Sequence, residues 1–176
     1  RGALALRFQM SPTMPHWRTM QEADLPAVLK VSTDVHPGFP EGEPMFRNRL
    51  SLFPAGCLVL DAGDGRLLGY AVSHPSKRYA PPALDVILPA LPKDADDYYV
   101  HDVALLPQAR GGGHARAGIE AILANAAPFG SASLVSVYGT APFWSRFGFE
   151  PVADRDMEAK LRPYGEGAVY MLRAPV

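Results

Sequence analysis

A chain of 176 residues, 48% hydrophobic and 20% charged, is long enough for one globular domain with a real core and too short for two of ordinary size. Its formal net charge of −1 excludes long-range attraction to nucleic acid or anionic lipid, so an anionic ligand must be held by local groups. The lone Cys57 excludes an internal disulfide, and no apolar run reaches the roughly 20 residues of a membrane helix.

These features predict a cytoplasmic protein with no nucleic-acid or membrane partner. "RGALALRF" is too short for a secretory leader. Because the chain opens on Arg1, residues 1 to 13 are expected to be an expression remnant or a disordered N-terminus, with Met10 or Met14 as alternative starts. Residues 14 to 176 are expected to form a single domain.

In chain order, "PHWRTM" reads as a short first strand, and "EADLPAVLKVSTDVH" as a helix with Asp24 as N-cap and Pro26 in the first turn. After the punctuated "HPGFPEGEP", "MFRNRLSLF" predicts a second helix, stopped by Pro54. "GCLVLDAGDGRLLGYAVSHP" gives two β-rich runs joined by "AGDG", an antiparallel hairpin. Residues 75 to 97 carry five prolines and predict an irregular segment with at most one helical turn. Tyr98 to Leu106 reads as a buried strand ending at Pro107, and an amphipathic helix follows Gly111, Gly112 and Gly113 and ends before Pro128. "SLVSVYG" supplies another strand, "TAPFWSRFG" a short helix, "FEPV" a strand start and "AVYMLRA" a last strand.

The three glycines therefore stand on a strand-to-helix turn. A helix start leaves backbone N–H groups unpaired and carries the positive end of the macrodipole, so a phosphate can settle there. Residues without Cβ atoms let its oxygens come close, and Arg110 adds a charge-assisted contact. A plain flexible loop is the alternative. The stretch lacks the Lys-Ser/Thr end of a Walker loop, and the dinucleotide pattern would need glycine where Arg116 stands.

"ALLPQARGGGHA" does resemble the Gln/Arg-x-x-Gly-x-Gly/Ala signature of the GNAT superfamily of acyl-CoA-dependent N-acyltransferases, met by Arg110, Gly113 and Ala115. "APFWSRFGFEPV", residues 141 to 152, is similar to the family's Phe-Tyr-x-x-x-Gly-Phe segment, and the order of elements over residues 16 to 174 is the family's order. The resemblance implies an α/β (α+β) fold, a mixed, mostly antiparallel central sheet of roughly six to seven strands with about four helices. It also implies acetyl-CoA as co-substrate. The backbone of Val103, Ala104 and Leu105 would hold the pantetheine arm, Arg110, Gly111, Gly112, Gly113, His114 and Ala115 the pyrophosphate, and Phe143 and Trp144 would lie beside the thiol end. Phe147 and Phe149 read more simply as core.

The chemistry requires a base, because an amine with a pKa near 10.4 is cationic at pH 7 and must lose a proton before it attacks a thioester. "HDVA" offers His101, whose type titrates near 6.5, with Asp102 as the other candidate; regular pairing would turn only one of them to the cleft. His101 also resembles the histidine before "Leu-Ala-Val" in the aralkylamine N-acetyltransferase branch, whose second histidine is Tyr99 here. The family commonly protonates the leaving sulfur with a tyrosine where this chain has Trp144, and an indole N–H cannot serve as that acid. The thiolate then leaves unprotonated, or Tyr138 serves instead, or the domain binds acyl-CoA without turning it over.

On the acceptor side, Phe39, Glu41 and Glu43 could receive a cationic amine, although a solvated proline-rich loop is the simpler reading of them. His36, His74 and Cys57 are scattered and show no metal-ligand spacing, so no metal is expected. Two functions follow: a small-molecule amine N-acetyltransferase using acetyl-CoA, or a silent acyl-CoA-binding module acting as sensor or partner. Pairing into a homodimer is left open.

Overall fold

A computed structural model describes residues 14–174, so the expectation for residues 1 to 13 falls outside the described residues. Strand β1 (His16–Thr19) is followed by helix α1 (Leu25–Val35), whose Leu25, Val28, Val31 and Ser32 form one buried stripe. Asp24 stands at its N-cap, but the carboxylate turns back to the Gln21 N–H at 2.8 Å and to Arg18 at 2.7 Å. Helix α2 (Glu43–Leu52) buries Met45, Phe46, Arg49 and Leu50.

Strands β2 (Cys57–Asp61) and β3 (Leu67–Ser76) form the expected antiparallel hairpin, its turn tied by Asp61, which accepts from the N–H groups of Gly63 and Gly65. β3 ends one residue beyond the predicted run, with Pro75 opposite Tyr98 of β4 (Asp97–Leu105). The segment between them makes turns and no helix. Helix α3 (His114–Leu123), strand β5 (Ala132–Ser136), helix α4 (Ala141–Ser145) and the two-residue β6 (Glu150–Pro151) come next. A helix that the sequence reading did not include, α5 (Arg155–Leu161), precedes β7 (Val169–Arg173); Asp154 caps it by accepting from the Asp156 N–H at 2.9 Å.

The seven strands form one sheet in the order β1-β2-β3-β4-β5-β7-β6. All neighbours are antiparallel except β4 and β5, which pair in parallel through Tyr98, Val100 and the residue between them. Beyond Val100↔Leu134 the two strands part, and the sheet opens in its middle. Helices α1 and α2 cover one face, with Val59, Tyr70, Val72 and Ala104 beneath them; α3 and α4 cover the other, over Ala71, Val100, Leu134 and Met171. Each fully buried Val, Leu or Met among them contributes about 1.5–3 kcal/mol. The fold is therefore the mixed, mostly antiparallel one expected, with one more helix.

Candidate active site

The central strand is irregular at the residues that carry chemistry. Val72 of β3 faces Asp102 and the next residue, Ser73, faces Val100, so His101 is an extra residue in β4 with no partner opposite. The bulge breaks the side-chain alternation that regular pairing would impose. His101 and Asp102 both point to the α1/α2 face, where His101 Nε2 meets Glu41 Oε2 at 2.9 Å and His36 Nε2 meets Asp102 Oδ1 at 3.0 Å. Regular pairing, the condition for turning only one of them to the cleft, is absent here, and of the two only Asp102 lines a cavity.

Two histidine–carboxylate pairs thus lie side by side. Glu41 and His101 are nearly closed off, with side chains 6% and 2% exposed, while His36 and Asp102 keep 16% and 15%. Glu41 also accepts from the Asp85 N–H, and Tyr70 donates its hydroxyl to the second oxygen of Asp102. Burial pushes Glu41 up, but the charge and hydrogen bond of His101 outweigh it and hold the carboxyl below the usual range. Burial likewise pushes Asp102 up, and His36 and Tyr70 reverse the sign. Burial lowers His36, yet the hydrogen bond and charge of Asp102, with the charge of Glu41, raise its imidazole above 6.5. His36 and Tyr70 were not singled out from the sequence. Neither stands in a motif; only the position of His36 at the end of a predicted helix, beside "PGFPEG", marked it as a loop residue on the acceptor side.

A cleft of about 800 Å³ runs from the glycine turn to this point, lined by Arg110, Gly111, Gly113, Val103, Phe143, Tyr138 and His36 among others. Gly111 at φ +84° and Gly113 at φ +78° are in the left-handed region, and a Cβ on either would point into open space. No side chain caps the first turn of α3, so its N–H groups face the cleft unpaired. The turn is held from behind: the Trp17 indole donates to the His114 carbonyl at 2.8 Å, and its ring lies where a Cβ on Gly118 would be, 2.4 Å away. Gly112 and His114 complete the turn, the His114 ring 3.1 Å from where a Gly112 Cβ would stand, and Ala115 lines the cleft.

Along β4, the Leu106 N–H bonds the Leu68 carbonyl of β3, so alternation turns the backbone groups of Ala104 to β3 and those of Val103 and Leu105 to the open side. The Ala104 carbonyl is indeed 2.6 Å from where a Cβ on Gly69 would stand. The expected trio is thereby reduced to Val103 and Leu105, since β3 occupies Ala104. Arg110 is tethered to this edge by Nε donating to the Leu105 carbonyl at 3.2 Å.

Where β4 and β5 part, a recess of about 120 Å³ touches His36, Asp102, Val103, Tyr138, Phe143 and Trp144. Trp144 is 9% exposed and packs edge-on against Phe143 and Phe149, so most of its ring is core; Phe147 packs beside it. Tyr138 is exposed, at φ +54°, its ring parallel to His36 and edge-on to Phe39. A third, smaller cavity of about 40 Å³ lies beyond His36 and Asp102 and brings in Phe39, Glu41 and Tyr164. Glu43 does not join them: it opens α2 and pairs with Arg47 at 2.6 Å. Among the described residues no group of three or more His, Cys, Asp or Glu is placed to hold a metal, and no helix is long and apolar enough to cross a membrane.

Comparison with known proteins gives a consistent outline. Residues 18–149 match the model of the acetyltransferase (GNAT) family. Curated protein sequences give no significant match. Among solved structures, Ard1 from Thermoplasma volcanium superposes with a TM-score of 0.68 at 14% identity, over 93% of this chain and 99% of its own. The loading GNATL domain of CurA from Lyngbya majuscula gives 0.73 at 11% identity, over 92% and 98%. Chaetomium thermophilum Naa20, solved with a bisubstrate analogue, gives 0.68 at 21% identity, over 91% and 86%. At these identities the superpositions speak for the fold alone.

Proposed function

The chain belongs to the acetyltransferase (GNAT) family, as an acetyl-CoA-dependent acetyltransferase, and from that premise we propose that it acetylates a primary amine of a small molecule by direct attack. The observation that carries this reading is the continuity of the site: His36 lines the long cleft, the recess between β4 and β5, and the small cavity beyond it. A donor entering from the glycine turn and an amine entering from the far side would meet at the His36–Asp102 pair.

The residues present suit the donor. Gly111, Gly113 and the free N–H groups of α3 offer backbone donors to a pyrophosphate, with Arg110 alongside. Val103 and Leu105 offer a strand edge that no neighbouring strand covers to the amides of a pantetheine arm, the Leu105 carbonyl being shared with Arg110, and Phe143 flanks the path of its thiol end.

The amine nitrogen bonds to the acetyl carbon as the carbon–sulfur bond breaks, and the ammonium proton goes to the His36–Asp102 pair. His36, whose imidazole the hydrogen bond and charge of Asp102 raise above 6.5, is the group that accepts it. His101 lines none of these cavities, and its role is to hold Glu41. Strand N–H groups at the open edge of β4 stabilise the charge growing on the carbonyl oxygen. Tyr138, which lines both cleft and recess, is the proton donor available to the departing sulfur.

Free-thiol release on incubation with acetyl-CoA and a panel of amines tests the reading. Turnover is expected with at least one primary amine. A thermal shift with acetyl-CoA but no thiol release on any amine would indicate a silent acyl-CoA-binding module, and no shift at all would remove the phosphate cradle.

A further inference from the structure

Given the acetyl-transfer reading above, on which this inference rests, an acetyl thioester reacts in the recess where β4 and β5 part, and that recess is larger than the group. Its volume is about 120 Å³. A single water needs about 10–15 Å³ on this measure, so the space admits roughly eight to twelve non-hydrogen atoms. The sulfur, carbonyl carbon, oxygen and methyl of an acetyl thioester, with the attacking nitrogen, take about five of those places, and roughly three or more remain for further carbons.

The walls suit carbon. The recess has its floor at Val100 and Leu134, the last paired residues of the β4–β5 seam, which are 2% and 1% exposed. Val103, Val137, Phe143 and Trp144 stand around it. Its polar side chains are already engaged: His36 through Nε2 with Asp102, and Thr140, whose hydroxyl donates to the Val137 carbonyl at 2.7 Å. No arginine or lysine lines the recess. A hydrocarbon tail therefore meets apolar surface at the floor and walls, whereas a carboxylate at the end of the tail would leave water with no cation to answer it.

We infer that the recess is an acyl pocket and that the protein has a second activity, the transfer of propionyl and butyryl groups from their CoA thioesters to the same amine. As with acetyl, the amine nitrogen bonds to the carbonyl carbon while the carbon–sulfur bond breaks. The ammonium proton goes to His36 and the departing sulfur takes its proton from Tyr138, so the products are the amide and free CoA thiol. The added methylenes run toward Val100 and Leu134. Succinyl, which has the four carbons of butyryl but ends in a carboxylate, is refused.

The test measures binding and turnover separately with the full-length protein. Titration calorimetry with acetyl-, propionyl-, butyryl- and succinyl-CoA needs no acceptor, and thiol release with an amine that accepts acetyl gives kcat/KM for each donor. Burial of one methylene is worth about fourfold, so butyryl-CoA should bind on the order of 10-fold tighter than acetyl-CoA, with propionyl-CoA between them. Succinyl-CoA should bind about 10-fold or more weaker than butyryl-CoA, and kcat/KM with butyryl-CoA should equal or exceed that with acetyl-CoA. Val137→Phe narrows the recess and should cancel the preference for butyryl over acetyl, while Trp144→Phe widens it and should extend the gain to hexanoyl-CoA. The thermal shift produced by CoA itself, retained in each variant, is the proof of folding. Butyryl-CoA bound less than about threefold tighter than acetyl-CoA, or transferred with less than about a tenth of its kcat/KM, would overturn the inference and leave acetyl transfer intact, as would donor preferences unmoved in both variants. No thiol release with any donor would overturn the acetyl-transfer reading and this inference with it.

Discussion

His101 and Asp102 are consecutive on β4 and yet present their side chains to the same face of the sheet, one to Glu41 and the other to His36. The extra residue at the bulge brings two histidine–carboxylate pairs into one layer: the pair at Asp102 borders the recess and the small cavity with both its members, and the pair at His101 reaches the small cavity through Glu41 alone.

Asp102→Asn should lower kcat/KM by about 10²–10⁴, the range a positioned acid–base group supplies. The pH profile gives the sharper readout. With His36 as acceptor, activity rises with pH along a limb above 6.5, and removing the Asp102 charge, which raises His36, should move that limb to lower pH. An unmoved limb would take the proton away from His36.

Stability should depend on pH in both directions. His36 is raised above 6.5, so its contribution is fully present below that value and is lost as pH climbs through its folded pKa. Asp102 and Glu41 are lowered from 3.8 and 4.5, so theirs is present above those values and is lost as pH falls through the folded ones. The melting temperature of the wild-type chain should therefore pass through a maximum in between, and Asp102→Asn should flatten both sides.

Gly113→Ala forces an alanine to φ +78°, at a cost of roughly 1–2 kcal/mol, and adds a methyl where a phosphate would come. Both the melting temperature and the acetyl-CoA thermal shift should fall. Gly112→Ala is the control: its new methyl meets only the His114 ring, which can move, so the shift should persist.

Tyr138→Phe should lower kcat by about 10² if the hydroxyl delivers the proton to sulfur. Trp144→Phe keeps most of the packing against Phe143 and Phe149 and should change kcat less than about threefold while costing roughly 1–3 kcal/mol of stability. The reverse ranking would assign the sulfur end of the site to Trp144.

Gly118→Ala tests the support behind the glycine turn. Its methyl would stand 2.4 Å from the Trp17 ring, and the ring must shift, taking with it the hydrogen bond to the His114 carbonyl. Overpacking of this kind costs about 1–3 kcal/mol, and acetyl-CoA should bind more weakly although Gly118 is a full turn inside α3.

The strand-to-helix turn proposed for the donor was legible in the sequence because its residues are local. A run of glycines between a strand and a helix is a statement about backbone, and Arg110 to Ala115 are contiguous. The proposed acceptor half is assembled from the end of α1, the loop before α2, the bulge in β4 and the 3-10 turn at Tyr164. No spacing in the chain announces that His36 meets Asp102, 66 residues away. The bulge itself left no mark, since "YYVHDVAL" alternates no worse than a regular strand would, and only pairing with β3 reveals the added residue. α5 did carry a signal, Asp154 before a helical run, and was missed because prolines and glycines on both sides read as loop.

The three-residue seam between β4 and β5 has a consequence for the whole molecule. Among the described residues this seam is where the strand ladder of the β1–β4 half meets that of the β5–β7 half, so a donor laid along the free edge of β4, as proposed, would work as additional mortar between them. Occupancy then translates into resistance to unfolding, by about 2.7 kcal/mol when the donor stands at 100 times its dissociation constant. A cell rich in the acyl donor would hold more of this protein intact than a starved one, with its abundance following the supply of its own substrate.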